Sequence, residues 1–321
     1  MALPLQILLL LVGLALIVFG ADFLVDGASS AARRFGISEF VIGLTIVGMG
    51  TSAPEMVVSF LGALKGNADI AVGNVVGSNI FNTLLILGVT AVIMPITVTR
   101  NNLRRDIPVN LAMTALLILF GMTATLTGFG SDGLSRVEGA VLLALFIAYL
   151  AYSFKHDSKA EENEARKEKE VRPWIAAAMI VGGLAALIGG GELFVDSATS
   201  IAKTLGISDK FIAITLLAGG TSMPELATCI VAAAKKKGQL ALGNILGSNV
   251  FNILLVLGGS ALIHPLSFSS INLVDMGILL LSAILVLTSA WSFRRNALDR
   301  FDGIVFLLCG IAYFIWLFIH L

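Results

Sequence analysis

The sequence predicts an all-α polytopic membrane protein with ten transmembrane helices, arranged as two inverted five-helix repeats. Three observations carry that expectation. Of 321 residues, 57% are hydrophobic and only 13% are charged, too little polar surface to cover a soluble domain of this length. Apolar runs of roughly 20 residues, enough to cross about 30 Å of hydrocarbon, recur along the whole chain. Second, the chain repeats itself: without a gap, residues 20–97 match residues 190–267 at 33 of 78 positions, an offset of 170 throughout. Third, positive charge is sorted between alternate loops, as the positive-inside rule requires of a multi-pass protein.

Apolar runs and charged breaks place the spans at about 4–25, 39–64, 69–94, 104–128 and 134–154, then 173–195, 209–234, 239–263, 270–291 and 300–320. The first is expected to be a retained helix, because MALPLQ has no positive n-region and no cleavage site follows. Residues 1–154 form the first five-helix repeat and 173–321 the second. Between them, 155–172 reads as a solvated linker of alternating Glu, Lys and Arg. Five spans per half is an odd number, so the second half must enter the membrane in the opposite sense.

With the N-terminus outside, 17 of the 21 Lys and Arg residues fall in loops of one side, including Arg33, Arg34, the linker and Lys235 to Lys237. Only Lys65, Arg136, Lys203 and Lys210 fall on the other. The expected location is therefore the cytoplasmic (inner) membrane, with both termini outside and the linker cytoplasmic. A formal net charge of zero gives no basic surface for nucleic acid. Cys229 and Cys309 sit in apolar runs and read as small core residues. His264, alone before Pro265, reads as structural.

Chemistry concentrates in four polar stretches inside these apolar runs. Gly50-Thr51-Ser52-Ala53-Pro54-Glu55 returns as Gly220-Thr221-Ser222-Met223-Pro224-Glu225. Gly73 to Asn82 (GNVVGSNIFN) returns as Gly243 to Asn252 (GNILGSNVFN). A charged residue at the centre of a membrane helix costs about 3 kcal/mol on insertion scales, and helix packing does not require one. Two glutamates at repeat-equivalent positions therefore indicate an ion or proton pathway.

Thr51 and Glu55 are four apart and share a helix face, with Ser52 beside them. Pro54 lacks the amide that would bond the Gly50 carbonyl, so a helix break with freed carbonyls is expected there and at Pro224. Ser78 with Asn82, and Ser248 with Asn252, repeat the four-residue spacing. Asn74, Asn79, Asn244 and Asn249 fit two roles equally, as ligands or as partners of backbone at the breaks. Carboxylate, hydroxyl, amide and carbonyl oxygens suit hard cations rather than zinc or copper. Two ionised glutamates are neutralised by one Ca²⁺ or by two Na⁺. Either filling eases passage across a low-dielectric barrier, which is the physical logic of obligatory exchange.

At these residues the sequence resembles the calcium/cation antiporter superfamily, most closely the short prokaryotic sodium/calcium exchangers. The resemblance covers all ten spans. It implies an ion site built by spans two, three, seven and eight, past which spans one and six slide as gates. Carried onto this chain, the implied ligands are Thr51, Ser52, Glu55 and Ser78, with Thr221, Ser222, Glu225 and Ser248. The carbonyls of Gly48 and Ala218 fall where family members bind sodium. The implied activity is antiport of Ca²⁺ against Na⁺ by alternating access, with no enzymatic reaction, no cofactor and no obligatory protein partner; its ligands are inorganic cations and its surroundings the lipid bilayer.

One position departs from the family. Many sodium/calcium exchangers carry Asp where this chain has Asn252, opposite the Asn at position 82. A third Na⁺, as family members use, would leave the two-glutamate site at +1. Exchange coupled to H⁺, with Ca²⁺ or another divalent ion as cargo, is the alternative within the same fold. A cation channel is disfavoured, because a channel needs a continuous pore and the repeat offers one midplane site. Asp22, Asp26, Glu192 and Asp196 are the remaining repeat-related acids, read as helix-end caps or a funnel for cations.

Overall fold

The computed structural model describes residues 3–155, 171–205, 218–269, 271–291 and 297–320. Residues 156–170 of the linker and 209–217 of the predicted seventh span lie outside them. The protein is mostly helical. Helix α1 (Leu3–Phe35) runs ten residues past the predicted end of span one. Asp26, Arg33 and Arg34 mimic an exit from the membrane. The helix nevertheless continues because Gly27 to Ala32 are buried against neighbouring helices, and it stops at Gly36, whose φ of +66° favours glycine. Ser38 then caps the next helix, accepting from Val41 N at 3.2 Å.

The second span is broken. Helix α2 (Glu39–Thr51) and helix α3 (Ala53–Leu64) meet at Ser52 with a bend of 48°. Helix α4 (Ala68–Ile93) follows in one piece. The predicted fourth span is divided: a π turn over Asn102–Asp106 leads into α5 (Ile107–Gly121), and α6 (Thr123–Thr127) starts afresh after Met122. Phe268 fills the space beside Gly121, where a Cβ would lie 2.2 Å from Phe268 Cε2. Helix α7 (Arg136–Lys155) closes the first half.

In the second half, α8 (Pro173–Thr204) outruns its predicted end as α1 does. A helical turn, Ala218–Gly220, precedes α9 (Met223–Ala234). Helices α10 (Gly238–Ile263), α11 (Leu273–Trp291) and α12 (Arg300–His320) complete the chain. Among the described residues, seven helices are long and apolar enough to cross a membrane, and the bent α2–α3 pair makes an eighth. The protein is a multi-pass membrane protein.

Burial orders these helices. The apolar window of α10 is 94% buried and that of α4 is 67%, whereas those of α7, α8 and α12 are each 22% buried. Helices α4 and α10 therefore form the centre, and α7, α8 and α12 face the surroundings. Long helices α1 and α8 run antiparallel, backbone against backbone. Gly13, Gly20 and Gly27 of α1 stand opposite Gly190, Gly183 and Ala176 of α8, and a Cβ on Gly20 would lie 2.9 Å from Gly183 O. Small residues permit this approach, and dispersion then holds the pair.

Two short antiparallel strand pairs tie the loops. Strand β1 (Ile96–Thr97) pairs with β4 (Ala297–Leu298), and β2 (Gly133–Leu134) pairs with β3 (Leu266–Ser267). Each pair joins one loop of the first half to one of the second.

Candidate cation site

Both helix breaks fall on serine. Ser52 has φ −83° and ψ 9°, and its repeat mate Ser222 has φ −88° and ψ 7°. Pro54 and Pro224 stand just inside the helices that follow, where a missing amide costs nothing. Glu55 and Glu225 thereby occupy the first turns of α3 and α9, the ends at which free amides and the helix dipole favour a carboxylate. Both are fully buried, as are Thr51, Ser52, Ser222, Ser248, Asn82 and Asn252.

The two repeats cross at this point. Ser52 Oγ donates to Glu225 Oε1 at 2.7 Å, and Ser222 Oγ donates to Glu55 Oε1 at 3.0 Å. Within each repeat, Ser78 Oγ lies 3.4 Å from Glu55 Oε1 and Ser248 Oγ lies 3.4 Å from Glu225 Oε1. Gly48 O accepts from Ser248 Oγ at 3.2 Å and from Thr51 Oγ1 at 3.4 Å. Ala218 opens the turn that leads to Thr221; its side chain lies outside the described residues.

A layer of amides adjoins the carboxylates. Asn82 and Asn252 sit in π-helical turns, Phe81–Ile86 and Asn252–Leu257. Asn82 Nδ2 donates to Asn249 Oδ1 at 3.3 Å, and Asn252 Nδ2 donates to Asn79 Oδ1 at 3.0 Å. Glu55 Oε2, Glu225 Oε2, Asn82 Oδ1 and Asn252 Oδ1 are buried without any hydrogen-bond partner, and so is Thr221 Oγ1. With both glutamates ionised, four of these five atoms can only accept.

Other residues support this ring from behind. Asn74 Nδ2 donates to the Glu55 carbonyl at 3.1 Å and to Ser59 Oγ at 3.0 Å. Asn244 accepts from Thr51 Oγ1 at 3.2 Å, and its Nδ2 donates to Cys229 Sγ at 3.3 Å. Asn249 Nδ2 donates to Thr83 Oγ1 at 2.8 Å. Sequence reasoning overlooked Ser59 and treated Cys229 as core only. The signal was present, since Ser59 and Cys229 are repeat mates four residues after Glu55 and Glu225.

Asp22 and Asp26 need a correction. They lie well inside α1, so they cap no helix end; instead Lys235 Nζ stands 2.6 Å from Asp22 Oδ1 and 2.7 Å from Asp26 Oδ1. Lys235 follows the last residue of α9, and its side chain is 26% exposed. Burial lowers the pKa of its ammonium, but the hydrogen bonds and charges of the two carboxylates outweigh burial and raise it. Glu192 and Asp196 are exposed on α8.

Comparison with known proteins agrees with this architecture. The family described as "Sodium/calcium exchanger protein" matches residues 5–155 and 175–319. The chain is 39% identical over 312 residues to the putative antiporter CaxA of Alkalimonas amylolytica, covering 94% of this chain and 95% of that one. It is 32% identical over 354 residues to the sodium/calcium exchanger MaX1 of Methanosarcina acetivorans, covering 97% and 98%. Among solved structures it superposes on the sodium-calcium exchanger NCX_Mj, soaked with zero Na⁺ and Ca²⁺, with a TM-score of 0.85 and 35% identity over 98% of this chain and all of that one. The chain belongs to the sodium/calcium exchanger family.

Proposed function

We propose that the protein exchanges Ca²⁺ for Na⁺ across the cytoplasmic membrane, by alternating access at a site held by Glu55 and Glu225. The observation that carries this reading is the set of buried acceptors without donors: Glu55 Oε2, Glu225 Oε2, Asn82 Oδ1 and Asn252 Oδ1. Buried polar atoms are nearly always paired, and a group of acceptors left without donors is satisfied by a cation. Thr51, Ser52, Ser78, Thr221, Ser222 and Ser248 supply further oxygens, and Gly48 and Ala218 supply carbonyls. Ca²⁺ would bridge the two glutamates, and Na⁺ ions would divide the same oxygens between them.

The reading includes ten helices in two inverted repeats, 1–154 and 173–321, joined by the linker 155–172. Strand pairing supports it. Adding 170 to β1 gives β3, and β2 and β4 each precede the last helix of their half, so exchanging the halves turns the β1–β4 pair into the β3–β2 pair. The loops joined by β1 and β4 are ones that the charge count assigns to the cytoplasm, and those joined by β2 and β3 fall outside. Gln239, beside the lysines of the α9–α10 loop, also bonds the Thr97 carbonyl, which ties a third basic loop to the same face.

On that face α2 and α10 pack through glycine. A Cβ on Gly243 would lie 2.1 Å from Phe40 O, and one on Gly247 would lie 2.2 Å from Leu44 O. Backbone against backbone leaves no channel for an ion between α2 and α10.

The test is flux in liposomes that hold the purified protein and are loaded with Na⁺, with ⁴⁵Ca²⁺ outside at fixed pH. Uptake should require the outward Na⁺ gradient and vanish in Glu55→Gln and Glu225→Gln. Uptake indifferent to Na⁺ but driven by a pH gradient would transfer the assignment to the proton-coupled branch.

A further inference from the structure

The repeat makes each half a template for contacts of the other, and one set of contacts is present on one side only. Lys235 holds Asp22 and Asp26, which stand one turn apart on a face of α1. The repeat mates carry the same charges: Lys65 after α3, and Glu192 and Asp196 on α8. These three are exposed, and among the described residues they form no ion pair. One copy of the triad is closed and the other open in a single molecule.

An apolar contact is unequal in the same way. Leu184 of α8 covers Gly50, where a Cβ would lie 2.6 Å from Leu184 Cδ1. Its mate on α1, Leu14, is 42% exposed, and Val195 takes the place beside Gly220. Exchanging the roles of the halves yields a second conformation with the same kinds of contact. In it Lys65 is bound, Lys235 is free, and Leu14 covers Gly220.

We infer that Lys235 with Asp22 and Asp26, and Lys65 with Glu192 and Asp196, are the two ends of an alternating charge latch that opens one face of the cation site as it closes the other. The inference rests on the alternating access proposed above. The closed end lies on the face where α2 and α10 are packed tight, so the paired triad and the tightest helix contact beside the site share one face. A partly exposed ion pair biases an equilibrium by about fivefold at most. That suits a latch that must release in every cycle. These are positioning residues, acting on ions only through movement of α1 and α8.

Two double variants of the full chain test it in proteoliposomes: Asp26→Cys with Lys235→Cys, and Asp196→Cys with Lys65→Cys. Single variants report any background from Cys229 and Cys309. Both pairs should be bridged through disulfides by a short bis-methanethiosulfonate, which covers the reach of the lost lysine stem that a direct disulfide cannot, in proportions that move oppositely as Na⁺, Ca²⁺ or neither is supplied. Each bridge should stop flux until it is reduced. In parallel, Lys235→Gln and Lys65→Gln should shift the half-saturating Ca²⁺ on the outer face by about fivefold in opposite directions. Lys235→Asp combined with Asp22→Lys should restore it, which a purely structural defect would not allow. The latch is refuted if the 65–196 pair never bonds under any ion condition, or if both Gln variants shift the same way. Bonding is read independently of flux, so a chain that bonds as expected but shows no Na⁺-driven Ca²⁺ uptake would count against the antiport reading instead.

Discussion

Ser52 donates its hydroxyl to Glu225 Oε1 at 2.7 Å although the two residues are 173 positions apart, in different repeats. Ser222 reaches Glu55 at 3.0 Å in the same manner. Each carboxylate is thus oriented by the other half of the molecule. A hydrogen bond to a charged group contributes about 1.5–3 kcal/mol, equal to a factor of at least ten in affinity. Ser52→Ala should therefore raise the half-saturating Ca²⁺ concentration about tenfold or more, and Ser222→Ala should do the same. A large effect from one and none from the other would break the equivalence of the two halves.

Two buried carboxylates near one another destabilise the fold when no cation is present, because each loses hydration and faces a like charge. Glu55→Gln removes one charge and nearly preserves shape. In chelator, without Na⁺, this variant should melt above the unmodified protein. Added Ca²⁺ should reverse the order, since a ligand at 100 times its Kd stabilises the binding-competent protein by about 2.7 kcal/mol and the variant gains little. Thermal unfolding in detergent, with and without Ca²⁺, reads both signs.

Much of this was legible in the sequence for a physical reason. A carboxylate within an apolar run is expensive, so Glu55 and Glu225 stood out, and Pro54 and Pro224 marked breaks that fall two residues earlier, at Ser52 and Ser222. The crossing of each serine to the opposite glutamate was not legible, because it depends on how α3 and α9 meet. Nor was the length of α1: charge at Asp26 and Arg33 signals the end of the apolar run, while tertiary packing decides where the helix stops. Lys235 was counted as one loop charge among many; only its distance to Asp22 and Asp26 reveals a specific partner.

Close approach of α2 and α10 gives a prediction about packing. Gly243→Ala would place a Cβ 2.1 Å from Phe40 O and 2.9 Å from Leu44 N, and backbone cannot move aside as a side chain can. The two helices must separate, at a cost of about 1–3 kcal/mol. Gly182→Ala on α8 is the control, since no described atom lies within 4 Å of its Cβ and alanine favours helix over glycine by about 1 kcal/mol. The first variant should melt below the unmodified protein and the second at or above it. Equal melting temperatures would show that α2 does not press on α10 as described.

Asn252 allows the charge count to be tested. Its Oδ1 is buried without a partner, and its Nδ2 is held by Asn79 Oδ1 at 3.0 Å. With two ionised glutamates, a Ca²⁺-filled site is formally neutral and a site filled by three Na⁺ carries +1. Asn252→Asp lowers both by one when the new carboxylate ionises. The net charge moved per cycle is fixed by the ion ratio and cannot change, but the step that carries it must move. In the unmodified protein the Na⁺-loaded crossing would be sensitive to voltage; in Asn252→Asp the Ca²⁺-loaded crossing would be. Current recorded on supported membranes after a Ca²⁺ jump, with Na⁺ absent, should be small before the substitution and substantial after it. If the Ca²⁺-jump current is unchanged, position 252 lies outside the field of the transported ion, and the amide layer serves packing alone.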